Sequence, residues 1–292
     1  MKKSPGLLFA VLSAVFIGTS IVIGSVVSKH VNPIVLTFLL YLIAIPFMFI
    51  VGVSQKLQIK RLFLEFSKDL THIFIFRTII GQLLILYGLS MTIAIRAGFI
   101  TRLEPVFVFI FSVLVIKEKI KSRKVGLLLI LIFGAFLFTT SGNINALEEI
   151  MPGDMILILA LAFLAYTYMP SARVMKKINP STLLLSLYIL AVVILMPVIL
   201  IFFQSYLAIS TNDFILILAY SLTFHVFGIM LWFIALKSVK PWIVASMLSL
   251  TPIVSSLLAF FWLGQTLLTI QLIGGAIIII TTFFIGRENR KA

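Results

Sequence analysis

Four ionisable side chains stand inside apolar runs long enough to cross a bilayer: Arg77, Arg102, Glu104 and His225. A charge at bilayer mid-depth costs about 2.5–3.5 kcal/mol on insertion scales, so each is a functional candidate. Glu104 is the strongest. It lies roughly eleven residues into its run, near mid-depth at about 1.5 Å per residue, and Pro105 follows it. Proline disfavours helical geometry at the preceding residue and frees a carbonyl one turn back. A carboxylate at such a break can take a proton, which makes Glu104 the proton-coupling candidate, or hold an ammonium group. It can equally form a structural ion pair with Arg77 or Arg102.

The other three offer alternatives too. Arg77 can clamp a carboxylate at two points or snorkel toward the headgroups. It shares one face with Gly81, Leu84 and Gly88 by helical spacing, a thin face suited to close packing or a cavity wall. Arg102 is two residues from Glu104, so a regular helix points them apart. Their pairing needs an unwound turn; otherwise Arg102 reaches an outer vestibule. His225, with an ordinary pKa of about 6.5, suits proton relay or a plain bond to a backbone carbonyl. Tyr41, Gln82 and Trp232 are the leading further binding candidates, followed by Ser13, Ser20, Tyr87, Tyr166, Tyr188 and Ser246. Trp242 and Trp262 lie near run ends and read as interfacial belt residues. No metal site and no cofactor are expected: there is no cysteine, and no Gly-rich loop ends in Lys-Ser or Lys-Thr.

The elements that must position these residues are membrane helices. The chain is 62% hydrophobic and 11% charged, whereas soluble domains are about 45–50% apolar and about 25% charged. Ten spans follow from apolar runs of about 20 residues. They are roughly Gly6–Val27, Pro33–Val53, Leu70–Met91, Ile93–Ile116, Val125–Thr140, Asp154–Met175, Ser181–Phe203, Asp213–Leu236, Pro241–Leu263 and Leu267–Gly286. Asn32-Pro33 and Asn179-Pro180 read as helix starts, with Asn capping and Pro in the first turn. With the N-terminus in the cytoplasm, 19 of the 23 basic residues fall in cytoplasmic segments. Lys/Arg asymmetry decides orientation, so both termini are expected inside. The net charge of +14 is then a topology signal rather than a nucleic-acid footprint. The cluster Lys117, Lys119, Lys121, Arg123 and Lys124 reads the same way, although it is basic enough to bind nucleotide or anionic lipid.

An internal repeat divides the chain into 1–145 and 146–292. A shift of 147 residues places Gly6 on Gly153, Asn32-Pro33 on Asn179-Pro180, Tyr41 on Tyr188, Gly81 on Gly228 and Pro105 on Pro252. One inserted residue then brings Gly126 onto Gly274. Five spans per half start the second half on the opposite side, which makes inverted repeats. Such folds bind substrates near mid-depth between the repeats. The expected class is therefore an all-α polytopic membrane protein of ten transmembrane helices in two inverted five-helix repeats.

The end of each half carries a resemblance. Leu103-Glu104-Pro105-Val106 leads through Lys117-Glu118-Lys119 to Gly126; Leu250-Thr251-Pro252-Ile253 leads through Leu263-Gly264-Gln265 to Gly274-Gly275. These resemble the drug/metabolite transporter superfamily, in particular its ten-helix EamA family, over nearly the whole chain. The departures are Lys117 where Gly is usual, Gln265 where Glu is frequent, and a Glu-Pro pair in the first half only. The resemblance implies a small-solute carrier with a cavity lined by helices one to four and six to nine, helices five and ten being peripheral.

The leading functional expectation is a secondary transporter, an exporter, of small organic metabolites such as amino acids, working by alternating access in the cell membrane. Its partners would be the metabolite and the lipid bilayer, not nucleic acid, and its state monomer or homodimer. A lipid-translocating or non-transporting membrane subunit is the alternative. An enzyme needs paired carboxylates, clustered His or a nucleophile with its base, and a single mid-depth Glu104 supplies none of these.

Overall fold

The computed structural model describes residues 5–27, 30–92, 99–117, 122–147, 151–263 and 268–288. It is helical, with no strand among these residues. The helices are α1 (Pro5–Val27), α2 (Pro33–Ser54), α3 (Ile59–Glu65), α4 (Ser67–Ile73), α5 (Gln82–Ser90), α6 (Glu104–Ile116) and α7 (Ser122–Thr140) in the first half. The second half holds α8 (Pro152–Met175), α9 (Pro180–Phe202), α10 (Thr211–Ser221), α11 (Ile229–Leu236), α12 (Pro241–Met247), α13 (Thr251–Leu263) and α14 (Thr269–Glu288). Eight helices among the described residues are long and apolar enough to cross a membrane, and a multi-pass membrane protein follows. In the region of the expected third span, helical residues run from Ser67 to Ser90. In that of the fourth they occupy 99–101 and Glu104–Ile116, while 93–98, where those two spans were divided, lie outside the described residues. So do Arg96, Glu118, Lys119, Lys121, Glu148, Glu149, Gly264 and Gln265.

The repeat is visible in the irregularities. A π-helical segment occupies Phe74–Gly81, and another occupies Leu222–Gly228, at the matching place under the 147-residue shift. The turn at 102–103 that interrupts the first half is matched by a 3₁₀ turn at Leu248–Leu250. Each lies directly before the helix that begins Glu104-Pro105 or Thr251-Pro252. Glu104 is nevertheless helical, against the expectation that Pro105 would push it out of helical geometry, and so is Thr251, at φ −51° and ψ −47°. Each proline sits in the first turn of its helix, where its missing N–H costs nothing, and the interruption falls just before.

The halves interlock. α1 packs on α10, α11 and α13, while its repeat equivalent α8 packs on α4, α5 and α6; α2 lies against α9, and α7 against α14. Gly6 abuts Ser238 and Val239, and Gly153 abuts Gly88 and Met91. The Arg77–Gly81–Gly88 face meets α8, through Thr167, Leu164 and Leu157 respectively, so the thin face serves close packing.

One end of the bundle gathers opposite charges from both halves. Arg173 Nη2 lies 2.6 Å from Asp69 Oδ1, and Lys177 Nζ 3.7 Å from Glu65 Oε2. At the other end Thr92 donates to Asp154 at 2.6 Å, and His30 lies 3.4 Å from Asp213.

Two local expectations need correction. Asn32 caps α2 by accepting from the Ile34 N–H at 2.9 Å, but Asn179 makes no side-chain cap. Its amide donates instead to the Gln55 carbonyl at 2.9 Å, because the end of α2 lies within reach. Trp242 is fully buried, not interfacial; Phe109 meets it edge-on and the Lys124 ammonium lies 5.6 Å over its ring. Trp262 is exposed, as a belt residue should be. Lys117 ends α6 with φ +57°. A left-handed residue at a helix end is the place for glycine, which is the physical sense of the departure noted there.

Candidate functional site

Arg77 is the hub. It projects from the first π-helical segment toward α8 and α11. Its guanidinium carbon lies 4.0 Å from the centre of the Trp232 ring and 5.6 Å from that of Tyr168. Its Nη1 donates to Thr167 Oγ1 at 3.1 Å. This direction answers the snorkelling alternative: the side chain runs into the bundle, where rings from the other half receive it. Tyr168 and Trp232 are themselves an edge-to-face pair, centroids 4.7 Å apart.

Glu104 opens α6 and is half-buried. Arg77, Tyr168 and Arg102 are its electrostatic neighbours, yet it makes no direct ion pair among the described residues. The Tyr168 hydroxyl faces both the carboxylate and the Trp232 indole without hydrogen-bonding geometry to either. Tyr168 Oη, Trp232 Nε1, Ser171 Oγ and Arg102 Nε are all buried and unpartnered. Native structures rarely leave buried polar atoms unsatisfied, and a bound water, ion or ligand is the usual explanation.

Arg102 does not pair with Glu104. Its Nη1 donates to the Leu248 carbonyl at 3.2 Å, and Nη2 to Thr101 Oγ1 at 3.4 Å. Leu248 opens the 3₁₀ interruption in the second half. One break therefore supplies a guanidinium to a carbonyl at the other, tying the two interrupted helices together.

Tyr41 and Tyr188, equivalent under the repeat, stack with centroids 5.1 Å apart. Tyr41 Oη donates to the Thr78 carbonyl at 3.0 Å; Tyr188 Oη donates to the His225 carbonyl at 3.1 Å. Thr78 and His225 are themselves repeat equivalents, each in its π-helical segment. Such segments displace carbonyls from regular pairing and are frequent at functional sites. Here one tyrosine hydroxyl holds each. His225 is buried against both tyrosines, its ring at 5.0 and 5.4 Å from theirs, with Nδ1 3.4 Å from Tyr188 Oη. The Arg77 charge lies close enough to act on both tyrosines.

Of the sequence-derived candidates, the fold thus brings Arg77, Glu104, Arg102 and Trp232 to one locus and Tyr41, Tyr188 and His225 to an adjoining one. Gln82 follows the first π-helical segment and is half-buried. Ser13 and Ser246 are spent on the Gly228 and Trp242 carbonyls. Tyr166 is turned away, its hydroxyl 2.9 Å from His72 Nδ1, and Tyr87 is exposed. Sequence reading missed Tyr168 and Thr167. The run Tyr166-Thr167-Tyr168, polar in an otherwise apolar helix, was their signal; which tyrosine faced inward depended on helix rotation.

Three comparisons bear on identity. An uncharacterized transporter from Methanothermobacter thermautotrophicus is 23% identical over 320 residues, spanning 100% of this chain and 88% of that protein. A solved crystal structure shares the fold with a TM-score of 0.81 at 14% identity, covering 99% of each chain. The family model for EamA-like transporters matches twice, at residues 4–140 and 151–287, one match in each half of the repeat. The chain therefore belongs to the EamA-like transporter family.

Proposed function

We propose that the protein is a secondary transporter that exports small organic metabolites carrying both charges, amino acids among them. The observation that carries this reading is the Arg77 locus. A guanidinium, a carboxylate and buried unpartnered donors meet between two halves, beside two broken helices. Broken helices at mid-depth are where carriers of this kind bind solutes. Arg77, the Trp232 N–H and the Tyr168 hydroxyl offer donors to a carboxylate; Glu104 offers an acceptor to an ammonium group or a site for a proton. Ten spans with both termini in the cytoplasm of the cell membrane complete the proposal. The clustering of Lys56, Lys60, Arg61, Arg173, Lys176 and Lys177 toward one end supports that orientation. Alternating access would then swap which end of the interlocked halves is open, with the Tyr41–Tyr188 stack at the centre of the motion.

The test is transport by purified protein in liposomes, with solutes chosen from a thermal-shift screen, since a ligand that binds the folded state raises apparent stability. Saturable counterflow of a zwitterion, recovered chemically unchanged, is the expected result. Movement of labelled lipid with no flux of any soluble metabolite would overturn it in favour of a lipid translocator. A chemically altered product would overturn it in favour of an enzyme.

A further inference from the structure

Helix α3 and its flanks are not explained by solute transport. α3 is a seven-residue helix (Ile59–Glu65) between α2 and α4, anchored by the fully buried Leu62. Its other apolar residues, Ile59, Phe63 and Leu64, are exposed, Leu64 to 72%. Lys56, Lys60, Arg61 and Lys68 are exposed beside them. A shallow cleft of about 420 Å³ is lined by Leu57, Gln58, Lys60, Arg61, Leu64 and Glu65. Arg173, Lys176 and Lys177 from the end of α8 come alongside through Asp69 and Glu65. The surface thus sets seven cations against two carboxylates, and Lys56, Lys60 and Lys68 have no protein partner among the described residues. The repeat does not require this feature. The corresponding connection in the second half, residues 203–210, contains no Lys or Arg.

We propose that this cleft binds an anionic phospholipid of the adjacent leaflet. Lys60 would take the phosphate together with Arg61, whose Nε lies 3.0 Å from Glu65 Oε1 and whose remaining guanidinium donors stay available, and Leu57 and Leu64 the start of an acyl chain. A short segment with exposed apolar residues flanked by cations has the chemistry of an interfacial anchor on acidic lipid. Charge complementarity selects the lipid over a protein partner: two adjacent cations, Lys60 and Arg61, stand beside exposed Ile59, Phe63 and Leu64 on one short helix, matching the phosphate–acyl boundary. Gln58 accepts from the Asn179 N–H at 2.9 Å, and its own N–H donates to Thr182. The lipid would therefore sit where the first half is fastened to the second.

The test is native mass spectrometry of the full-length protein in detergent, titrated with phosphatidylglycerol or phosphatidylcholine. Phosphatidylglycerol is expected to bind more tightly, and the preference to weaken at high salt. Each cation near an acidic headgroup is worth about fivefold, so K60Q/R61Q should lose about 25-fold for phosphatidylglycerol and nothing for phosphatidylcholine. K60R/R61K should retain the preference. Soluble glycerol phosphate should not compete, which separates a lipid site from a free-phosphate site. Equal binding of the two lipids by the wild type, which needs no variant, would overturn the proposal. So would an unchanged preference in K60Q/R61Q, or an equal loss in K68Q, outside the cleft. None of these readings depends on transport.

Discussion

Replacing Arg77 separates its packing from its chemistry. The guanidinium lies 4.0 Å from the Trp232 ring centre and donates to Thr167 at 3.1 Å. A desolvated cation–π contact is worth about 2 kcal/mol, and a hydrogen bond from a charged group about 1.5–3 kcal/mol. The two share one side chain and do not add fully, so R77A should cost about 2–4 kcal/mol of stability. R77K keeps the charge but loses the planar stack and should fall between. Stability is measured by thermal unfolding in detergent. With Trp242 and Trp262 replaced by Phe, Trp232 becomes the sole tryptophan reporter, and R77A should shift its emission. Transport is measured in liposomes with matched anionic, zwitterionic and neutral solutes. The expected loss is largest for solutes bearing a carboxylate and small for neutral ones. An unchanged midpoint with unchanged Trp232 emission would refute the stacking. An equal loss for all solutes would refute the binding role and leave Arg77 a structural strut.

Three further outcomes follow from the same geometry. E104Q should abolish proton-driven transport while leaving counterflow exchange intact; wild-type coupling in that variant would remove Glu104 as the proton site. G153A places a Cβ 2.5 Å from the Gly88 carbonyl oxygen and 2.6 Å from that of Met91, backbone atoms that cannot rotate away. It should cost about 1–3 kcal/mol, whereas G126A, with nothing within 4 Å, should be neutral or stabilising by up to about 1 kcal/mol; similar midpoints for the two variants would contradict this packing. Y41F and Y188F each leave a buried carbonyl unsatisfied and should each cost about 1–3 kcal/mol, with equal losses measured by unfolding if the two π-helical segments are equivalent.

Much of the architecture was legible because it is written in one dimension. Apolar run length and the recurrence of Asn-Pro, Gly and Pro are properties of the chain read in order. They survive any uncertainty about rotation of one helix against another. That an interruption accompanies Pro105 and Pro252 was legible for the same reason, since proline has no N–H to continue a helix; that it falls at 102–103 and Leu248–Leu250, with Glu104 and Thr251 helical, was not. The π-helical segments were not, because Phe74–Gly81 and Leu222–Gly228 carry no local marker; their displaced carbonyls are tolerated because Tyr41 and Tyr188 reach them from other helices.

The site divides along the same line. Sequence alone determined that Arg77, Arg102, Glu104 and His225 interrupt apolar runs, and that two similar halves carry their charges unequally. It could not decide which side chains meet. Arg77 finds Trp232 and Thr167, Arg102 finds the Leu248 carbonyl, and Tyr168 rather than Tyr166 turns toward Glu104. Each of those choices is a matter of one helical turn or about 100° of rotation. Only the interlocking of the two halves fixes that angle, because only the packed neighbours distinguish one face of an all-apolar helix from another.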